Sequence, residues 1–157
     1  MPKHPKQKIH PPLDKSARQA VSPSTLRVPR LAFNPESISA LNPVWKIGRI
    51  DVDGPWGHAA IDRTTLLTQI LPKLKNYESM TWGDIERDHR RNHSVSVVQL
   101  TKEARDRLAT LRIEEEQLFR FRLTGTQRMW GIRDRDTFCI LWWDPNHEIC
   151  PAVKKHT

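Results

Sequence analysis

Residues 117–144 decide the fold. They read Gln117-Leu118-Phe119-Arg120-Phe121-Arg122-Leu123-Thr124, then Gln127-Arg128-Met129-Trp130-Gly131-Ile132-Arg133, then Thr137-Phe138-Cys139-Ile140-Leu141-Trp142-Trp143-Asp144. Each run is seven or eight residues long and rich in the aromatic and aliphatic side chains that suit a pleated surface. Gly125 with its neighbours and Asp134-Arg135-Asp136 separate them. Connections this short reverse the chain, so the three runs predict an antiparallel meander. In the first run Phe119, Phe121 and Leu123 share one face, and Arg120 and Arg122 share the other. Phe138 to Trp143 is apolar on both faces, as in a strand that is central or covered by helices.

Upstream, Val44 to Val52 carries strand-type residues and ends at Asp53-Gly54-Pro55, which predicts a strand and a turn. Asp62 is placed to cap a helix bearing Leu66, Leu67, Ile70, Leu71 and Leu74. Pro72 falls inside that stripe and must kink or split it, because it removes one ladder bond. Thr81-Trp82-Gly83-Asp84 has the form of a capping box, with Trp82, Ile85 and His89 on one face of a short helix. The polar stretch 88–93 follows, then Val95 to Leu100, short, apolar and of extended type. Thr101 opens another helix, with Leu100, Ala104, Leu108 and Leu111 facing inward. The expected class is α+β: short helices packed on an antiparallel sheet that ends in a three-stranded meander.

The full chain has 157 residues and a net charge of +8, with 37% hydrophobic and 28% charged residues, so one domain with a modest core is expected. Residues 1–43 hold seven cations against two acids and eight of the twelve prolines. Such a segment buries too little to offset its ordering entropy, and it is predicted to be a disordered basic arm. It reads either as a solvated leader or as an arm that attracts polyanions. Residues 44–150 form the expected domain and 151–157 a short tail. No apolar run is long enough to cross a bilayer, and the amino end lacks the apolar stretch of a secretory signal. Two cysteines, Cys139 and Cys150, do not make a disulfide framework. The expectation is a cytoplasmic protein with no membrane partner.

Arginine dominates the meander: Arg120, Arg122, Arg128, Arg133 and Arg135, with no lysine among them. The guanidinium fork grips phosphate bidentately and stacks on bases. Trp130 shares a strand face with Arg128, and aromatic rings beside arginines suit single-stranded RNA. Equally, the arginines can solvate an outer sheet face while the tryptophans fill the core. His147 follows the last strand, with Asp144 and Glu148 on either side. A nearby carboxylate raises an imidazole pKa and fits it to donate a proton; the other reading is a turn histidine bonded to Asp144. His89 and His93 lack a third metal ligand. No Cys-x-x-Cys, glycine-rich phosphate loop or Gly-x-Ser-x-Gly occurs.

Strand, helices and meander over residues 44–150 resemble the small RelE/ParE-type toxin fold. The local likeness is Leu123-Thr124-Gly125-Thr126-Gln127-Arg128-Met129-Trp130-Gly131-Ile132 followed by Phe138-Cys139-Ile140-Leu141. It is similar to that superfamily's glycine turn, arginine before an aromatic, and hydrophobic last strand. The resemblance implies a metal-independent, cofactor-free endoribonuclease that acts on RNA, on the ribosome or free, and is held by an acidic antitoxin protein. By position Arg128 is the implied phosphate clamp, His147 the acid and Glu148 the candidate base. Arg120, Arg122, Arg133 and Trp130 are the implied RNA contacts. The ribonuclease members often end in a tyrosine, whereas Tyr77 here lies far upstream. The alternative is a non-catalytic module that binds nucleic acid or protein.

Overall fold

In chain order the secondary structure comprises β1 (Val44–Lys46), α1 (Arg63–Thr65), a π-helical turn (Leu66–Ile70), α2 (Leu71–Glu78), α3 (Trp82–Arg87), β2 (His93–Ser96), α4 (Lys102–Thr110), β3 (Gln117–Arg122), β4 (Arg128–Asp134) and β5 (Thr137–Asp144). These come from a computed structural model that describes residues 38–152. The expected meander is present, and the class is α+β. The sheet order is β1-β5-β4-β3-β2, with β1 parallel to β5 and the other pairs antiparallel.

Alternation along β3 sends Phe119 and Phe121 to one core and Leu118 to another, so the sheet is covered on both faces. The first core gathers Ile70, Leu74 and Tyr77 from the long helix, Trp82 and Ile85 from α3, and Phe119, Phe121, Met129, Phe138, Ile140 and Trp143 from the sheet. The second gathers Leu100, Ala104 and Leu108 around α4 with Val95, Leu118, Trp130, Leu141, Trp142 and Ile149. A register shift between Trp130 and Gly131 lets Leu141 and Trp142, adjacent in sequence, both reach this second core.

Pro72 is accommodated by a wider turn rather than a break. Leu71 donates to the carbonyl of Leu66 to close the π-helical segment, and Pro72 then lies in the first turn of α2, where a missing N–H costs little. Asp62 caps the start as expected, its Oδ1 accepting from Thr65 N at 2.9 Å. Thr81 and Thr101 cap α3 and α4 in the same way.

Three expectations are corrected. The strand expected over 44–52 is only Val44–Lys46, because the chain turns at Gly48 to bring Asp51 to Arg107 and Trp142. Val95 to Leu100 is split: Val95 and Ser96 close β2, and Val97–Gln99 form a 3-10 turn. His89 lies beyond the end of α3 and is exposed. The packed chain also starts earlier than residue 44, since Ile38 is buried and the Leu41 carbonyl accepts from Trp82 N at 2.9 Å. The rest of the expected arm, residues 1–37, and residues 153–157 lie outside the described residues. Among the described residues no helix is long and apolar enough to cross a membrane.

Candidate functional site

Strand register assembles the site. On the second-core face, Arg122 of β3 lies directly opposite Arg128 of β4, and Arg128 lies opposite Asp144 of β5. One step along, Arg120 faces Trp130, with its Cζ 6.0 Å from the indole centroid. Two arginines paired across neighbouring strands repel one another, so the sheet carries a cost here that a bound anion would relieve.

Turns fix the rim. Gly125 adopts a φ of +44° between β3 and β4, a conformation open to glycine, and Gln127 N closes the turn on the Thr124 carbonyl at 2.7 Å. Arg128 folds back on this turn, and its Nη1 donates to the carbonyls of Gly125 (2.8 Å) and Gln127 (3.0 Å). Thr126 Oγ1 donates to the Pro145 carbonyl at 2.6 Å, which ties this turn to the one after β5.

Asp144 builds that second turn. Its carboxylate is fully buried and accepts from Glu148 N (2.9 Å), Ile149 N (3.1 Å) and Trp130 Nε1 (3.3 Å). His147 lies in this turn with φ 60°, an uncommon conformation for a residue with a Cβ. Its Nε2 lies 3.0 Å from Arg120 Nη1. A guanidinium only donates, so Nε2 accepts, and a neutral ring carries its proton on Nδ1.

Electrostatics follow from this packing. Burial, then the charges of Arg128 and Arg120, hold the His147 pKa below its ordinary value. Burial also lowers Arg120 and Arg128, reinforced at Arg128 by Arg120 and Arg122; arginines remain cationic even so. The Nε atoms of Arg120 and Arg128 are buried without a hydrogen-bond partner. No ion pair engages Arg120, Arg122 or Arg128 among the described residues, whereas Arg87, Arg91, Arg107 and Arg133 each hold a carboxylate. A buried donor without an acceptor is costly, and this cluster contains two of them. The arrangement suits an anion with several oxygens, and a phosphodiester fits that description.

The structure therefore brings Arg120, Arg122, Arg128 and His147 together. It separates the other candidates from them. Arg133 is an odd number of residues from Arg128 and projects from the opposite face, where it pairs with Glu86 and lies 3.9 Å over the Trp82 ring. Trp130 is wholly buried and presents no face to a base. Glu148 is exposed, and among the described residues only its backbone N–H is engaged, by Asp144. The expected raising of the His147 pKa by a flanking carboxylate is reversed, because burial and then the charges of Arg128 and Arg120 outweigh Asp144, whose carboxylate is taken up by the loop's N–H groups. The missed component is Asp144 as the anchor of the loop. Its signal was the strand alternation that turns it inward beside Trp142.

Among the described residues no three His, Cys, Asp or Glu side chains converge as a metal site would require. Compared with models of known families, with curated proteins and with solved structures, the chain finds no match.

Proposed function

We propose that the chain is a toxin-like endoribonuclease that grips an RNA phosphodiester with Arg120, Arg122 and Arg128 and activates the ribose with His147. The observation that supports this best is a cluster of arginines that make no ion pair among the described residues, with two unpartnered buried Nε donors, around one imidazole.

In this reading the phosphate draws the Arg120 guanidinium onto its own oxygens and frees His147 Nε2. The neutral imidazole takes the proton of the ribose 2′-hydroxyl, and that oxygen attacks phosphorus. Charge building on the phosphoryl oxygens meets the three guanidinium groups, which act as preorganised electrostatic stabilisers. The bond to the 5′-oxygen breaks, and that oxygen takes a proton from solvent. The products are a 2′,3′-cyclic phosphate and a 5′-hydroxyl. His147 thus serves as base rather than acid, and Glu148 has no part. An apolar groove of about 840 Å³ on the other sheet face, between residues 66–78 and residues 45–61, is consistent with a protein partner such as an antitoxin.

A second reading, a non-catalytic nucleic-acid binder, is favoured by the surroundings of His147: among the described residues no carboxylate is hydrogen-bonded to its ring, and Arg120 already occupies its lone pair. One experiment separates the two. Single-stranded RNA labelled at its 5′ end is incubated with the full chain in a metal chelator, and the products are mapped. The expected outcome is cleavage leaving cyclic phosphate ends, abolished by His147→Ala with affinity nearly intact. Arg128→Ala should weaken binding and reduce the log–log salt slope by about one. Binding without cleavage in the parent chain selects the binder, and neither binding nor cleavage rejects both.

A further inference from the structure

Arg122 faces two places at once. It lies directly opposite Arg128 across the β3–β4 pair, and its backbone carbonyl accepts from the hydroxyl of Tyr77 on α2 at 2.5 Å. The second place is a polar cleft of about 410 Å³ between α2, the start of β2 and the β3–β4 turn. Gly125 is common to both as well, since it lines the cleft and its carbonyl holds Arg128. Because α2 packs on the opposite face of the sheet, a strand of RNA whose phosphate lies on Arg120 and Arg128 would round the β3–β4 turn past Arg122 and Gly125 to bring its adjoining nucleotide to this cleft.

The walls offer hydrogen bonds rather than stacking. Tyr77 is buried, with its hydroxyl on the Arg122 carbonyl, so no aromatic face is presented. The cleft's two acids are engaged: Asp88 by Arg91 at 2.9 Å, and Asp84 by Thr81 and Arg87. Lys73 makes no ion pair among the described residues. The Asn76 amide has only a long contact of 3.9 Å to Met80 Sδ. An ammonium and a carboxamide three residues apart on one helix meet the pattern of a purine's outer edge. Lysine pairs with guanine O6 and N7, and asparagine with adenine N6 and N7. Pyrimidines have no N7. In single-stranded RNA that edge is open to a side chain.

We infer that the cleft formed by Lys73, Asn76, Arg122 and Thr124 is a base-recognition subsite that takes a purine next to the gripped phosphate. This rests on the reading of the arginine cluster as an RNA phosphate site. The test is fluorescence anisotropy of the full chain with a short single-stranded uridine RNA and with the same RNA carrying one central adenosine or guanosine. The purine RNAs should bind roughly tenfold more tightly. Asn76→Ala should shrink the gap for the adenosine RNA and Lys73→Met the gap for the guanosine RNA, each to roughly twofold or less, since each removes the contact to that base. Both positions lie on the outer side of α2, and an unchanged thermal midpoint verifies folding. Arg49→Ala, an exposed cation near the other end of β5, should keep the gap. Equal binding of all RNAs by the parent chain, or a gap that survives both cleft substitutions, overturns the subsite and leaves the phosphate site standing. Failure of every RNA to bind overturns both.

Discussion

The protonation state of His147 is set by what packs against it. Burial and the positive charges of Arg128 and Arg120 all disfavour the imidazolium, and Asp144 opposes them more weakly. Its neutral form therefore persists to lower pH than that of an ordinary histidine, whose pKa is about 6.5. If His147 is the base, kcat/KM on RNA rises with pH through this lowered value and is level above it, because that parameter reports the free enzyme. An acid would give the opposite limb, with activity falling as pH rises. Arg128→Ala removes one of the opposing charges, so it should move the midpoint upward as well as slow the reaction. A rate profile measured on both proteins checks this, and a falling alkaline limb near neutrality would exclude the base. Residue types were informative here: arginine excess and a loop histidine mark the site. Neighbours in sequence were less so. Asp144 and Glu148 flank His147 along the chain, but strand alternation turns Asp144 inward and the left-handed turn leaves Glu148 in solvent. Parity alone already separates Arg133 from Arg128.

Elements were legible where pattern and punctuation agreed. Period-two alternation and two short turns define the meander, and the threonine and aspartate caps start their helices as their chemistry requires. Local reading failed where a distant contact overrode propensity. Residues 47–52 have strand composition, yet the carboxylate of Asp51 has partners on α4 and β5 that end the strand early. The π-helical turn before Pro72 is a compromise between two legible signals, an unbroken apolar stripe and a residue that cannot donate. Trp130 turns on the same distinction, since its strand face was readable but the helix covering that face was not. The tightest point in the sheet is Gly131, at the register shift between β4 and β5. A Cβ there would stand 2.3 Å from the Cys139 carbonyl oxygen and 2.6 Å from Phe138 Cζ. Backbone cannot yield as a flexible side-chain tip does, so Gly131→Ala should cost about 2–3 kcal/mol. Urea unfolding checks it: the midpoint should fall while the slope stays constant. An unchanged midpoint would mean the shift in register spreads to make room.

At the scale of the whole molecule the sheet separates two surfaces, with an apolar groove on one face and the arginine cluster on the other. Sequence reading does not give the strand order, because β1 joins the sheet beside β5, the element most distant from it along the chain. Asp51 helps to fix that closure. Its carboxylate, almost wholly buried, accepts from Arg107 Nε (2.8 Å) and Nη2 (2.6 Å), from Trp142 Nε1 (2.9 Å) and from Gly54 N (3.1 Å). It thus joins α4, β5 and the turn after β1 at one point. The hydrogen bond from Arg107 is the largest influence on Asp51 and holds its pKa below the ordinary carboxylate value, against the opposing effect of burial. An unfolded Asp51 takes up its proton near pH 3.9, whereas the folded one resists to lower pH. The stability this adds is complete above the unfolded value and is lost as pH falls through the folded one. Asp51→Asn keeps the shape but replaces a bidentate, charged acceptor with a neutral amide. It should cost about 2 kcal/mol near pH 7, the scale of a hydrogen bond to a charged group. The gap between parent and variant should then narrow as pH is lowered below about 4. Thermal unfolding of both proteins across that range decides it. A gap that stays constant with pH would mean that the charge of Asp51 contributes nothing and that the loop is held by shape alone.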